Sequence, residues 1–183
     1  HYRETKDKIT KIDEVFAMAQ YGSAHSPPEL IPDGNTAVFI VGNSRGGGLH
    51  ALLWVQRMFP NHFQNFVFMN ARTVDSKAYG GREALEAMRV DASVSLNYFV
   101  NFCRSHGLRA KSYLSFGTDA VEELTNLAKV VAENHPNAIF FTSKLVFENE
   151  NILTRLLHNQ AALELQRRLH NAGQQMVILP MRL

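Results

Sequence analysis

Between Ile40 and Trp54 the chain reads Ile-Val-Gly-Asn-Ser-Arg-Gly-Gly-Gly-Leu-His-Ala-Leu-Leu-Trp. An apolar run stops at a glycine-rich turn, and helical apolar spacing follows at once. Three chemistries share that layout. Read as a nucleophile elbow, Gly42-Asn43-Ser44-Arg45-Gly46 fits G-x-S-x-G and offers Ser44 as a nucleophile on a strand-to-helix turn. The serine would then need an acid and a histidine later in the chain. Asp119, in Gly117-Thr118-Asp119, is the candidate acid, and His135 or His158 the candidate base. Two features weigh against this triad. An oxyanion donor normally comes from a loop after an earlier strand, and only a helical segment and a proline-rich arm precede Thr36. His135 also sits before an apolar run rather than after one, and His158 falls inside a helical stretch.

Read as a dinucleotide fingerprint, Gly46-x-Gly48-x-x-Ala51 fits G-x-G-x-x-[GA]. Asp75, beyond the next apolar run, is then the residue for a ribose. Ala51, however, falls on an apolar helix face where close packing alone calls for a small residue. The phosphate-loop reading fails, because Gly42 and Gly47 are followed by Gly48 and Leu49 rather than by Lys and Ser or Thr. What remains open is a small anion or a nucleotide held on the free amides of a helix N-terminus. Its candidate binding residues are Gly42, Asn43, Ser44, Gly46, Gly47 and Gly48.

The other reactive side chains are less suggestive. The eight histidines show no H-E-x-x-H spacing and there is no second cysteine, so neither a metal nor another cofactor is expected. Cys103 lies mid-helix among aromatics, where a buried thiol is inert. A lone cysteine also excludes an intramolecular disulfide. With 19 basic and 17 acidic residues the formal charge is +2, and no basic stripe interleaved with aromatics is present, so nucleic acid is not an expected partner. No apolar run approaches the ~18 residues that a membrane span needs. The chain opens on His1-Tyr2-Arg3 rather than Met, as expected of a piece of something longer.

The elements that must position these residues follow from periodicity. Ile9, Ile12, Val15, Phe16 and Ala19 recur at helical spacing, with Glu4–Lys8 and Asp7–Lys11 as i,i+4 pairs, which predicts a helix over 1–21. Residues 22–35, with Pro27, Pro28, Pro32 and Asp33-Gly34, read as an arm. From Thr36 apolar runs and amphipathic stretches alternate. Strands are expected at 37–42, 66–70, 108–116, 138–143 and 176–179. Helices are expected over 49–59, 82–106, about 119–134 and about 150–171, the third opened by the capping pattern Asp119-x-x-Glu122. The order β-α-β-α-β-α-β-α-β implies a doubly wound α/β fold, with a mostly parallel five-stranded sheet and helices on both faces. Leu153, Leu156, Leu157, Leu163, Leu165 and Leu169 form the richest leucine face, expected to be mostly core and in part a dimer seam.

This order of elements resembles the universal stress protein fold. Nucleotide-binding members of that family carry a G-x2-G-x9-G-[ST] loop after the fourth strand. Here Thr142-Ser-Lys-Leu-Val-Phe-Glu-Asn-Glu-Asn151 follows, and there is no glycine between Gly117 and Gly173. A closer resemblance is to the cytoplasmic C-terminal domain of bacterial amino-acid permeases of the amino acid–polyamine–organocation (APC) superfamily. It is carried by His1-Tyr2-Arg3, Gly42–His50 with Ala51-Leu-Leu-Trp54, Phe59-Pro60-Asn-His-Phe63, Asn65-Phe-Val-Phe68 and Val74-Asp75-Ser76. The later blocks are Gly117-Thr-Asp119, Lys144-Leu-Val-Phe-Glu148, Leu156-Leu-His-Asn159, Leu165-Gln-Arg-Arg-Leu169 and Met176-Val-Ile-Leu-Pro180. The resemblance implies a juxtamembrane helix and linker over 1–35 and a universal stress protein-like domain over 36–183. It further implies a non-catalytic regulatory or assembly role at the cytoplasmic face of the bacterial inner membrane, the partner being the transmembrane part of the same permease. A homodimer is a further expected assembly.

Overall fold

A computed structural model describes residues 28–42, 45–74, 81–143 and 152–179, with side chains from residue 160 onward in the last stretch. The helix expected over 1–21 and the first part of the arm lie outside the described residues. Nine elements alternate: β1 (Thr36–Ile40), α1 (Arg45–Met58), β2 (Asn65–Thr73), α2 (Arg82–Ser105), β3 (Arg109–Gly117), α3 (Ala120–Asn134), β4 (Ala138–Ser143), α4 (Ile152–Asn171) and β5 (Gln175–Leu179). The strands stand in the order β3-β2-β1-β4-β5. Every neighbouring pair is parallel, so the sheet is wholly rather than mostly parallel.

Parallel neighbours need long crossovers, and each crossover here carries a helix. The chain winds outward from β1 to β3, then returns to the far side of β1 for β4 and β5. That reversal places α1 and α2 on one face and α3 and α4 on the other, the doubly wound arrangement expected from sequence. Strand periodicity divides the side chains accordingly. Ala37, Phe39, Phe66, Phe68 and Phe141 pack under α1 and α2 with Leu52, Val55 and Phe99. Val38, Ile40, Val67, Met69 and Phe140 pack under α3 and α4 with Leu124, Val131, Leu165 and Leu169. A sheet covered on both faces has no polar side, which is why β1 reads Thr-Ala-Val-Phe-Ile with every residue buried.

The arm is fastened to the sheet at its N-terminal edge. The Asn65 amide, 1% exposed, accepts from the Ile31 N–H at 2.8 Å and donates to the Ile31 carbonyl at 2.8 Å. Asn137 donates to the Asp33 carbonyl at 2.6 Å, tying the same arm to the start of β4.

Caps fix the helix ends. Asp119, in extended backbone, accepts from the Glu122 N–H at 2.8 Å and so pairs one of the four orphan donors of α3. The capping pattern read from sequence is therefore formed at this end. Asp119→Ala should lower stability by about 1 kcal/mol. Chemical denaturation would show it as a lower midpoint at unchanged slope, and no change would mean that the cap is redundant. At the other ends, Gly107 (φ 72°) and Gly173 (φ 81°) turn the chain out of α2 and α4 in the left-handed region that glycine enters freely.

The leucine face of α4 divides. Leu165 and Leu169 are fully buried, whereas Leu163 is 58% exposed and is not core. The side chains of Leu153, Leu156 and Leu157 lie outside the described residues.

Candidate functional site

Helix α3 decides the fate of the candidate triad. Asp119 is its N-cap and His135 its C-cap. Fifteen residues at a rise of about 1.5 Å separate them by about 22 Å. Because α3 runs back against the strand direction, Asp119 stands at the C-terminal edge of the sheet and His135 at the N-terminal edge. An acid must hydrogen-bond the histidine that it orients, so the structure does not bring these two together. Each is otherwise engaged: Asp119 caps α3, and the His135 Nε2 shares a 3.0 Å hydrogen bond with the Tyr113 hydroxyl. Ser44 and Asn43 lie outside the described residues, as does Asp75.

The glycine turn leads into helix earlier than the sequence suggests. α1 begins at Arg45, four residues ahead of Leu49, and takes in Gly46, Gly47 and Gly48. Gly48 explains the glycine content in packing terms. A Cβ at this position would lie 2.4 and 2.5 Å from two Phe99 ring atoms and 3.1 Å from the Val41 Cγ1. The bare Cα therefore allows α1, α2 and β1 to meet. In a dinucleotide fingerprint the middle glycine admits a pyrophosphate; here the space beside it is filled by an aromatic ring. Ala51, 4% exposed, belongs to the same packed face.

The C-terminal edge still carries polar chemistry. Gly42 follows β1, and Ser143 ends β4, so the glycine turn opens at the point where the winding direction reverses. In open α/β sheets, ligands bind in the crevice outside the strand ends at this reversal. No acidic residue occupies the first turn of α1 to offset its positive end. Arg45, its first residue, places its guanidinium 4.7 Å from the Tyr98 ring centroid. On β2, beside the turn, Asn70 is 7% exposed, and its Nδ2 donates to the Val41 carbonyl in a short 2.5 Å bond. Two residues on, the Arg72 guanidinium pairs with Asp91 of α2 at 3.3 Å. The Asn70 Oδ1 and the Arg72 Nε are both buried with no hydrogen-bond partner. Neither residue stands out in the sequence; the only signal is that the apolar run Phe66–Met69 ends in an amide.

Among the described residues no group of three histidine, cysteine or acidic side chains could hold a metal. Burial lowers the His135 pKa below the ordinary histidine value, and Lys111 lowers it further. The unfolded chain therefore takes up a proton at a higher pH than the folded one. Stability from this group is complete above the unfolded value of about 6.5 and is lost as pH falls through the lower folded value. His135→Gln should flatten the fall in unfolding free energy between pH 7 and pH 5. An unchanged slope would assign that fall to other groups.

Cys103 is fully buried on α2, and burial pushes its thiol up to about 12. The thiolate is the reactive form. Ellman's reagent at pH 8 should find no reactive thiol in the folded chain and one in guanidinium. Rapid native labelling would contradict this placement.

No protein-family model matches the chain, and no curated protein does. Among solved structures the chain is similar to the crystal structure of a hypothetical protein, PH0823, with a TM-score of 0.51 and 13% identity. The match covers 80% of this chain and 94% of that one. At this identity the likeness shows the α/β fold and nothing of the activity.

Proposed function

We propose that the chain is a non-catalytic domain working by contact: the cytoplasmic regulatory or assembly domain of an APC-type amino-acid permease. The observation that carries the non-catalytic part is the separation of Asp119 from His135 along the whole of α3, with each committed to a structural hydrogen bond. Attachment to a permease is supported by the sequence blocks that resemble such domains, from Gly42–His50 through Met176–Pro180. Contact surfaces are also present. Val90 and Val94, one turn apart on α2, are 55% and 52% exposed, and Leu163 on α4 presents a further apolar side chain. No helix among the described residues is long and apolar enough to cross a membrane.

The decisive test is the full reading frame. Ten or more upstream segments of about 20 apolar residues support the proposal, and their absence overturns it. In the full-length transporter, removal of residues 36–183 should change transport rate or subunit assembly. Such a domain alters transport only if its states contact the partner unequally. Hydrolysis of a p-nitrophenyl ester by the wild type, abolished in Ser44→Ala, would instead establish an esterase.

A further inference from the structure

We infer that β3 is the seam of a homodimer, in which two copies of the chain pair their β3 edges antiparallel about Leu114. The inference concerns a surface of this domain and does not depend on attachment to a transporter.

The sheet ends in β3 and β5, and among the described residues neither has a strand on its outer side. The two edges are not equally open. Along a parallel ladder, alternate residues turn their N–H and C=O to opposite sides of the strand. On β5 the outward residue Met176 is engaged by α4. Its N–H donates to the His170 Nε2 at 3.3 Å, and its carbonyl accepts from the Gln166 Nε2 at 2.9 Å. Side chains thus cover that edge, one of the ways in which edges are blunted.

On β3 the Gly117 carbonyl accepts from the Val74 N–H at 2.8 Å, so the odd-numbered residues face β2 and the even-numbered ones face outward. Ala110, the first of these, has its carbonyl held by Arg104 at 3.2 Å. Ser112, Leu114 and Phe116 follow, with outward backbone groups that no described strand takes up. Their side chains are only partly buried, whereas β1 at the centre is buried throughout. Such an edge is a template for another strand.

A second β3 matches it. With a two-fold axis at Leu114, that residue opposes its own copy and Ser112 opposes Phe116, so all three exchange backbone hydrogen bonds. The charges agree with this register. It sets Tyr113 opposite Ser115 and the exposed Lys111 opposite Gly117, all on the α3 face. The Glu123 carboxylate lies over both opposing positions: it accepts from the Ser115 Oγ at 2.6 Å, and it fills the space that a Cβ at Gly117 would need. The Lys111 Nζ already leans over the Tyr113 ring, 4.9 Å from its centroid, toward the place that Ser115 of the second copy takes. Lys111 of each copy therefore meets Glu123 of the other, and the symmetry makes the pair twice. Opposite charges across a strand pair stabilise it, and like charges there do the reverse.

The test combines sedimentation equilibrium with amide exchange on the 183-residue chain. The chain should sediment as a dimer at submillimolar concentration. The amides of Ser112, Leu114 and Phe116 should exchange more slowly as concentration rises, while those of Lys111, Tyr113 and Ser115, already facing β2, should change little. Lys111→Glu, at an exposed site, should weaken the dimer about tenfold or more, since two attractive pairs become repulsive. Adding Glu123→Lys should restore it, which a merely destabilising change would not do. The exchange is read on the wild type, so a variant that fails to fold leaves the test intact. A chain that stays monomeric overturns the inference, as does a dimer whose three outward amides exchange freely. Protection of those amides in a monomer would assign the edge to another segment of the same chain and overturn it as well. A dimer indifferent to Lys111→Glu would refute the register. None of these outcomes bears on the permease reading, which the reading frame decides.

Discussion

Phe68→Ala should cost about 3–5 kcal/mol, the largest single loss expected in this fold. Phe68 is fully buried in the middle of an aromatic column that crosses the sheet and enters a helix. Its ring stacks 5.3 Å from Phe39 and 5.1 Å from Phe99, and Phe39 in turn lies 5.8 Å from Phe141. Truncation would open a void bounded by β1 on one side and α2 on the other. Phe39 and Phe99 are themselves fully buried, so neither can swing into the gap without losing its own contacts. Urea unfolding should show the loss as a fall in midpoint at nearly constant slope. Leu163→Ala, at an exposed site, should change stability by less than about 0.5 kcal/mol. A Phe68→Ala loss below about 1 kcal/mol would mean that the column is not packed as described.

Gly48→Ala is the second large effect, and two terms compete. Replacing glycine by alanine inside a helix favours folding by up to about 1 kcal/mol. Against that, the new methyl group meets two Phe99 ring atoms at 2.4 and 2.5 Å, about 1 Å or more inside van der Waals contact. The ring cannot retreat, since Phe68 stacks on it and Tyr98 meets it edge-on at 5.5 Å. Overpacking of this kind costs about 1–3 kcal/mol and at times more. A net loss of about 2 kcal/mol is expected, which lowers the melting temperature by about 4–8 °C for a domain of this size. A companion Phe99→Leu change should recover part of it in Gly48→Ala and destabilise the wild type. A rise in melting temperature for Gly48→Ala alone would refute the close approach.

The two substitutions also mark what could be read from the chain before folding. The strand runs were legible because a sheet buried on both faces leaves nearly unbroken apolar letters: Ala138–Ser143 falls where it was expected, and the α3 cap at Asp119 likewise. The start of α1 was not. Three glycines carry poor helix propensity, so Arg45–Gly48 reads as turn until the contact with Phe99 is known. Strand β2 runs to Thr73 rather than Asn70, because Ala71, Arg72 and Thr73 pair with Ser115, Phe116 and Gly117 across the sheet. No pattern within residues 65–73 announces that pairing. The same holds for the site. G-x-S-x-G is conspicuous as a string, yet Asp119 and His135, its expected acid and one of its two candidate bases, are a helix apart. Asn70 and Arg72 are inconspicuous as letters, and the burial of their unpaired atoms shows only in the fold.

The position of β1 at the centre of the sheet has a consequence for the growing chain. β1 leaves the ribosome first among the described strands, and β2 and β3 can join it on one side. Its other neighbour, β4, lies 102 residues farther along, as the pairing of Ile40 with Thr142 shows. At a synthesis rate of about 5–20 residues per second, that interval lasts about 5–20 s. Throughout it, one edge of a mostly apolar strand has no strand to pair with and exposes its backbone groups to other nascent chains. Demand for chaperones during translation is therefore set by the order in which the strands emerge, however stable the finished sheet.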